Sequence, residues 1–450
     1  MKNVYFIGIG GIGMSAIARY YKHEGKVVSG YDRTPSKLTR ELEEEGIAIH
    51  YTDDISFIPK DKEETLVIYT PAVPKEMNEL VYVEEHNYRT IKRSRALGEI
   101  AKDKKCLAIA GTHGKTTTST LLSHIYTSSG IGCSAFLGGI SKNYHSNLIL
   151  AKSDYLVAEA DEFDRSFLQL FPQTAVITAT DPDHLDIYGT VENMRAAFAD
   201  FAKQIEMSGY LIIKKGAPMD LSNVKAKIYT YSYTQKADFC PQNIEQIEGG
   251  HFKFDLLCPD RVIKECTVGI PGWLNVENAI AASAVALLNG VPEEEIKKAL
   301  ASFSGAERRL DIHINTPKVA YIDDYAHHPK ELSSSIASIR EIFEGRKVCG
   351  IFQPHLYTRT RDLAPDFAKS LSALDELILL DIYPARELPI EGVSSKLIYD
   401  MVNLKEKRMI KKEELLNYIK RREFDVLATF GAGDIDRFII PITELLKERV

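Results

Sequence analysis

No run in this sequence reaches the ~18 consecutive apolar residues that a membrane-spanning helix needs, so no membrane insertion is expected. An excess of positive charge is missing too. With 56 Lys and Arg against 63 Asp and Glu the formal net charge is -7, which removes the electrostatic reason to expect nucleic acid or an anionic membrane as partner. Local basic residues can still bind a small anion against the overall sign. Cysteine is scarce: Cys106, Cys133, Cys240, Cys258, Cys266 and Cys349 are scattered without a CxxC pair, several of them inside apolar runs. Reduced core thiols in a cytoplasmic protein are the expected state. The apolar start, MKNVYFIGIGGIGMSAIA, carries glycines that suit a strand entering a helix better than a leader segment.

What is present is a chain of 450 residues, 44% hydrophobic and 26% charged, too long for one ordinary core and sized for about three domains at ~150 residues each. After a short apolar run come Gly8, Gly10 and Gly13 in GxGxxG spacing with Gly11 and Ile12 between them, then a helical pattern and a second strand ending in Asp32. Glycines so spaced let the backbone approach a pyrophosphate at a helix N-terminus; NAD, FAD and a UDP-sugar all present that group. Strands and helices go on alternating to a boundary near Asp103, giving a first, Rossmann-like domain over 1–103.

The stretch CLAIAGTHGKTTT, residues 106–118, reads as a buried strand, a glycine turn and a helix start. Backbone N–H groups in such a turn surround an oligophosphate, while Lys115 supplies a point charge and Thr116 a hydroxyl for magnesium. The glycine of the common spacing is replaced by Ile109. Downstream, a strand runs into Glu159, Asp161, Glu162 and Asp164; acids at the carboxyl end of a strand beside a phosphate loop are where a nucleotide's magnesium is held, Glu159 foremost. The next strand leads to TDPDHLDIYG, where His184 between Asp183 and Asp186 suits a second metal. A helix is expected over 191–207, and short alternating runs over 227–268 predict a small antiparallel sheet added to the parallel one. A long alanine-rich helix carries Asn275 and Asn278 in its first turn, and Arg308 and Arg309 close this P-loop-type domain, 104–310.

Over 311–450 strand, polar turn and helix repeat, which predicts a third, Rossmann-like α/β domain. Ligand crevices lie at the carboxyl ends of parallel strands, which places Asp323, Asp324, His327, His328, His355, Arg359, Arg361, Arg386 and residues 431–434 along one edge. A pyrophosphate site, a magnesium-phosphate site and a third polar-edged sheet must bring two phosphate compounds together. Ligation through an acyl phosphate explains this economically.

The motifs GIGGIGMSAIA, GTHGKTTT, EADEFD, DPDHLDIYG, NVEN, RRLD, DDYAHHP, FQPHLYTRTRDL and GAGDI stand in the order and spacing of the Mur ligases, and nearly the whole chain resembles that family. The resemblance implies a three-domain α/β enzyme of peptidoglycan precursor synthesis that uses ATP and Mg2+, and FQPHLYTRT resembles the branch that joins L-alanine to the lactyl carboxylate of UDP-N-acetylmuramate. It further implies that Gly111, Thr112, His113, Gly114, Lys115, Thr116 and Thr117 wrap the ATP phosphates, with Lys115, Glu159 and His184 catalytic and Thr116, Glu159 and His184 on metal. Asn275 and Asn278 are implied near the adenine, with Arg309 and Asp324 reaching the nucleotide. His327 and Arg359 are implied at the amino-acid site, and Gly8, Gly10, Gly11, Ile12, Gly13 and Asp32 at the UDP-sugar. The chain departs from the family pattern at Ala179, Leu274 and Leu356.

Three other readings compete. A sister ligase adds a whole tripeptide to the same UDP-sugar and shares GTHGKTTT, EADE and AHHP. A nicotinamide-dependent dehydrogenase accounts for the first ninety residues alone. A nucleotide-binding regulator would bind ATP without releasing phosphate.

Overall fold

Apolar runs closed by glycine turns become parallel strands, because each is covered on both faces and joined to the next by a helix. In the computed structural model, residues 1–385 and 387–449 are described. Arg386, expected on the third polar edge, lies outside the described residues, as does the side chain of Asp186. The chain forms two compact units: residues 1–245, 253–269 and 276–305 make one, and residues 246–252, 270–275 and 306–450 the other.

The first unit holds two parallel-type sheets. Strands β1 (Asn3–Ile7), β2 (Val27–Tyr31), β3 (Ala48–His50), β4 (Thr65–Tyr69) and β5 (Arg89–Lys92) lie in the order β3-β2-β1-β4-β5, all parallel. Strands β6 (Lys105–Ala110), β7 (Ser134–Ser141), β8 (Ser146–Ile149), β9 (Tyr155–Glu159), β10 (Thr174–Ile177), β11 (Tyr210–Lys214) and β12 (Lys227–Tyr231) follow in the order β12-β11-β10-β6-β9-β7-β8. A single apolar core runs from Val4 and Phe6 through Ala108, Ala158 and Ile177 to Leu211, so the two sheets share their packing.

Three expectations are corrected here. Strand β12 pairs in parallel with β11, Lys227 opposite Tyr210, and so extends the parallel sheet; its mixed pattern is that of an outermost strand with one side toward solvent, which alternation alone cannot tell from an antiparallel strand. The antiparallel part is smaller: β13 (Cys240–Ile247), β14 (His251–Leu257) and β15 (Val262–Thr267) form a three-stranded sheet, with Lys253 opposite Thr267 in the antiparallel β14 and β15 pair. The helix expected over 191–207 is Val191–Lys203: Gln204 N already donates to Phe201 O at 3.1 Å in a tightened last turn, and a separate turn follows in which Gly209 N donates to Glu206 O at 2.8 Å. The antiparallel β7 and β8 hairpin went unread because glycines interrupt it. All six cysteines are buried and free.

In the second unit, β16 (Asp311–Asn315), β17 (Ala320–Asp324), β18 (Val348–Phe352), β19 (Glu376–Leu379), β20 (Glu406–Met409) and β21 (Val426–Phe430) take the order β16-β17-β21-β18-β19-β20. Only β16 runs antiparallel to its neighbour among these described pairs. Alternate residues serve opposite faces: Ile322 and Phe352 enter one core, Tyr321 and Ile351 the other, which is the two-sided burial of a doubly wound sheet. No helix among the described residues is long and apolar enough to cross a membrane.

Candidate active site

Strand β6 is buried from Cys106 to Ala110 and delivers the chain into the glycine turn. Gly111 has φ +125°, and a Cβ there would fall 2.1 Å from Thr178 Oγ1, so only glycine permits both the backbone angle and the approach. Thr178 Oγ1 donates to the carbonyls of Ala110, at 3.1 Å, and His113, and Thr112 N donates to Ala179 O at 3.1 Å. The loop is thus tied down beyond β10 before Gly114 (φ 79°) caps the helix Lys115–Ser128. Asn278 presses on Gly114, and its Oδ1 accepts from Thr118 Oγ1 at 3.3 Å.

Two carboxylates meet the two functional groups of this helix start. Thr116 Oγ1 donates to Glu159 Oε1 at 3.2 Å, and Gly138 N donates to Glu159 Oε2 at 3.1 Å. Lys115 Nζ donates to Gly111 O at 2.6 Å and lies 3.0 and 2.9 Å from the two oxygens of Glu162. Burial alone would lower the Lys115 pKa, but the Glu162, Glu159 and Asp161 carboxylates hold it above its ordinary value. Burial raises the Glu162 carboxyl, against the pull of Lys115.

Glu162, Asp183 and His184 offer ligand atoms that all lie within 4.8 Å of one another. His184 adopts φ 52° at the start of the short helix Leu185–Tyr188; its backbone N donates to Asp183 Oδ1 at 2.8 Å, and Phe163 meets its ring edge-on at 5.2 Å. Tyr188 OH donates to Glu162 O at 2.6 Å. Carboxylate and hydroxyl oxygens in this number suit a hard divalent cation, with the imidazole as an added ligand. Both donor sets, Thr116 with Glu159 and Glu162 with Asp183 and His184, therefore fit the expected metal. Of these donors the motifs singled out Thr116, Glu159 and His184, with Glu162 and Asp183 named only as neighbouring acids; Gly138 was passed over, its only signal a glycine inside a strand.

At the first glycine loop, Gly8 has φ +87°, Gly11 caps the helix Ile12–His23 without a side-chain hydrogen bond, and Asp32 Oδ2 accepts from Gly10 N at 2.7 Å. Asp32 thus braces the turn itself. Arg93, also passed over, packs against Gly13 and donates to Asp161 Oδ2 at 2.9 Å.

The second unit gathers the remaining candidates differently. Asp324 is buried; it accepts from Leu310 N, Ala326 N and Ser335 Oγ at 3.1, 2.8 and 2.8 Å, and burial pushes its pKa up to about 6. Arg309 lies 5.0 Å from the Tyr325 ring, and Arg308 5.2 Å from it. Asn275 Nδ2 donates to Pro271 O at 2.6 Å. The rings of His327 and His355 lie 5.9 Å apart, and Arg359 Nη1 reaches His355 Nδ1 at 3.5 Å, so His355 joins the two predicted amino-acid-site residues. Arg361 pairs with the adjacent Asp362 on an exposed helix face.

Three family models match in sequence: the Mur ligase family catalytic domain over 3–105, the Mur ligase middle domain over 109–286 and the Mur ligase glutamate ligase domain over 308–433. A UDP-N-acetylmuramate–L-alanine ligase of Parabacteroides distasonis is 54% identical, covering 99% of this chain and 98% of its own. Among solved structures, the UDP-N-acetylmuramate-alanine ligase of Thermotoga maritima superposes with a TM-score of 0.83 at 28% identity, covering 99% and 98% of the two chains. A murein peptide ligase of Psychrobacter arcticus shares the fold over the full length of both chains, with a TM-score of 0.75 at 20% identity.

Proposed function

This chain belongs to the Mur ligase family, with its three-domain α/β architecture, and we propose that it joins L-alanine to the lactyl carboxylate of UDP-N-acetylmuramate at the expense of ATP. The observation that carries this reading is the meeting of Lys115 and Thr116 with Glu159, Glu162 and His184 at the carboxyl ends of β6, β9 and β10, in a chain matched end to end by an alanine-adding relative. We assign the domains to 1–103 for the UDP-sugar, 104–310 for ATP and 311–450 for the amino acid, and the place of action to the cytoplasm, where the nucleotide substrates are.

The loop residues Gly111, Thr112, His113, Gly114, Lys115, Thr116 and Thr117 receive the ATP phosphates on backbone N–H groups and the Lys115 ammonium. A lactyl carboxylate oxygen attacks the terminal phosphorus; that O–P bond forms, the bond to the bridging oxygen breaks, and ADP departs. The L-alanine nitrogen then attacks the acyl carbon, phosphate leaves with the C–O electron pair, and the proton lost by the amine passes to the departing phosphate. Magnesium, held by Thr116 and Glu159 and by His184 with its neighbouring acids, neutralises charge on the phosphoryl oxygens when bound. His327 and Arg359 orient the amino acid, the guanidinium offering donors to its carboxylate. Asn275, Asn278, Arg309 and Asp324 serve the nucleotide, the last by bracing the backbone at Leu310 and Ala326.

Phosphate released from ATP in the presence of UDP-N-acetylmuramate, with and without L-alanine, tests the reading. Release that depends on alanine supports it. Release that depends instead on a tripeptide identifies the sister ligase, and ATP binding without release identifies a regulator.

A further inference from the structure

Glu162 is buried, 1% exposed, and stands between two cationic demands. Both of its carboxylate oxygens lie within 3.0 Å of Lys115 Nζ, and one also belongs to the group with Asp183 and His184. Its backbone is held separately: Tyr188 OH and Arg165 N both donate to Glu162 O, at 2.6 and 3.0 Å. Only the side chain is left to change partner.

A carboxylate that stays ionised when buried needs a compensating cation; losing one member of such a pair is far more unfavourable than never having formed it. Phosphates arriving in the loop 111–117 compete with Glu162 for the Lys115 ammonium. Once that ammonium turns to phosphate, Glu162 and Asp183 are two acids beside one imidazole, with ligand atoms within 4.8 Å of one another, close enough for one divalent ion to be shared by the two hard carboxylates and the borderline imidazole. We propose that Glu162 is a positioning residue that exchanges partners, pairing with Lys115 in the nucleotide-free protein and completing a cation site with Asp183 and His184 when nucleotide takes Lys115. Nucleotide and the second cation are thereby loaded together, each raising affinity for the other by the same factor. The proposal rests on ATP being the nucleotide of the 111–117 loop.

The test is binding alone. Glu162→Gln keeps the side-chain shape and removes its charge. Titrated with a non-hydrolysable ATP analogue in EDTA, the Gln variant is expected to bind about tenfold more tightly than the parent, because Lys115 is no longer sequestered. The further gain on adding magnesium shrinks by about the same factor, the size of an ordinary coupling. A second arm does not depend on that variant folding: Lys115→Met releases Glu162, and manganese binding without nucleotide, followed by electron paramagnetic resonance, is expected to tighten about tenfold. Adding Glu162→Gln to Lys115→Met removes that gain. Equal or weaker analogue binding by Glu162→Gln in EDTA overturns the proposal, and so does unchanged manganese affinity in Lys115→Met. Neither arm contains UDP-sugar or amino acid, so failure here is distinct from failure of the assigned reaction, which the phosphate-release assay reads.

Discussion

Gly138→Ala is a one-carbon change aimed at Glu159. The added Cβ would lie 2.4 Å from the carboxyl carbon and from both oxygens of Glu159, where ordinary contacts begin at 3.4 Å, so the carboxylate must retreat by about 1 Å. Gly138 has an ordinary backbone angle, absent from the positive-φ residues, so the perturbation is steric and not conformational. Retreat breaks the 3.2 Å bond from Thr116 Oγ1 and the 3.1 Å bond from Gly138 N. At about 1.5–3 kcal/mol for a hydrogen bond to a charged group, loss of one bond in the transition state lowers the rate of alanine-dependent phosphate release roughly 10- to 100-fold. Half-activation by magnesium moves to higher concentration. UDP binding, at Gly8 to Gly13, stays at parent level. In a double-mutant cycle the Gly138→Ala effect should vanish in a Glu159→Ala background, where no carboxylate is left to displace. A folded Gly138→Ala protein with parental turnover and magnesium dependence would refute the assignment of Glu159 to the metal, as would effects that simply add.

Three further outcomes are expected. Lys115→Ala abolishes ligation while isothermal titration shows UDP-sugar affinity near that of the parent, because the two phosphate loops are separate; equal loss of both contradicts the domain assignment. Glu79 is fully buried, accepts from Tyr5 OH at 2.6 Å, and is pushed by burial up to about 7; an acid whose folded pKa exceeds its unfolded value of about 4.5 makes stability fall as pH rises from about 4.5 to about 7. Glu79→Gln should therefore match the parent at pH 4.5 and exceed it at pH 8 by up to about 3 kcal/mol, read as a widening Tm difference; a constant difference contradicts the shift. Arg308, largely buried, donates to Asp323 Oδ2 at 2.9 Å and to Gly431 O at 2.6 Å, so Arg308→Ala strands a buried carboxylate and should destabilise the second unit by about 3–5 kcal/mol in denaturant unfolding. An unchanged midpoint would show that Thr429, at 2.7 Å from Asp323, satisfies it alone.

Much of this protein was legible in its sequence because the signals are local. Gly8 and Gly111 mark backbone angles that other residues adopt only under strain, and the apolar runs into Asp32, Glu159 and Asp324 set strand ends. The spacing of Gly114, Lys115 and Thr116 sets a helix start by itself. Partnership was not legible. Glu159 and Glu162 stand three residues apart, yet one faces Thr116 and the other Lys115. That division follows from the path of the chain after β9, where Ala160 N donates to Ile109 O, Phe163 N to Asp161 Oδ1 and Phe167 N to Asp161 O. Asp324 turned inward for a similar reason: backbone N–H groups of Leu310 and Ala326 needed an acceptor inside the fold. Strand β12 read as antiparallel because outward exposure, not direction, shapes its pattern. The sequence by itself determined the turns, the strands and the kinds of chemistry available; only the tertiary structure decided which charge meets which, because that depends on residues brought together from different strands.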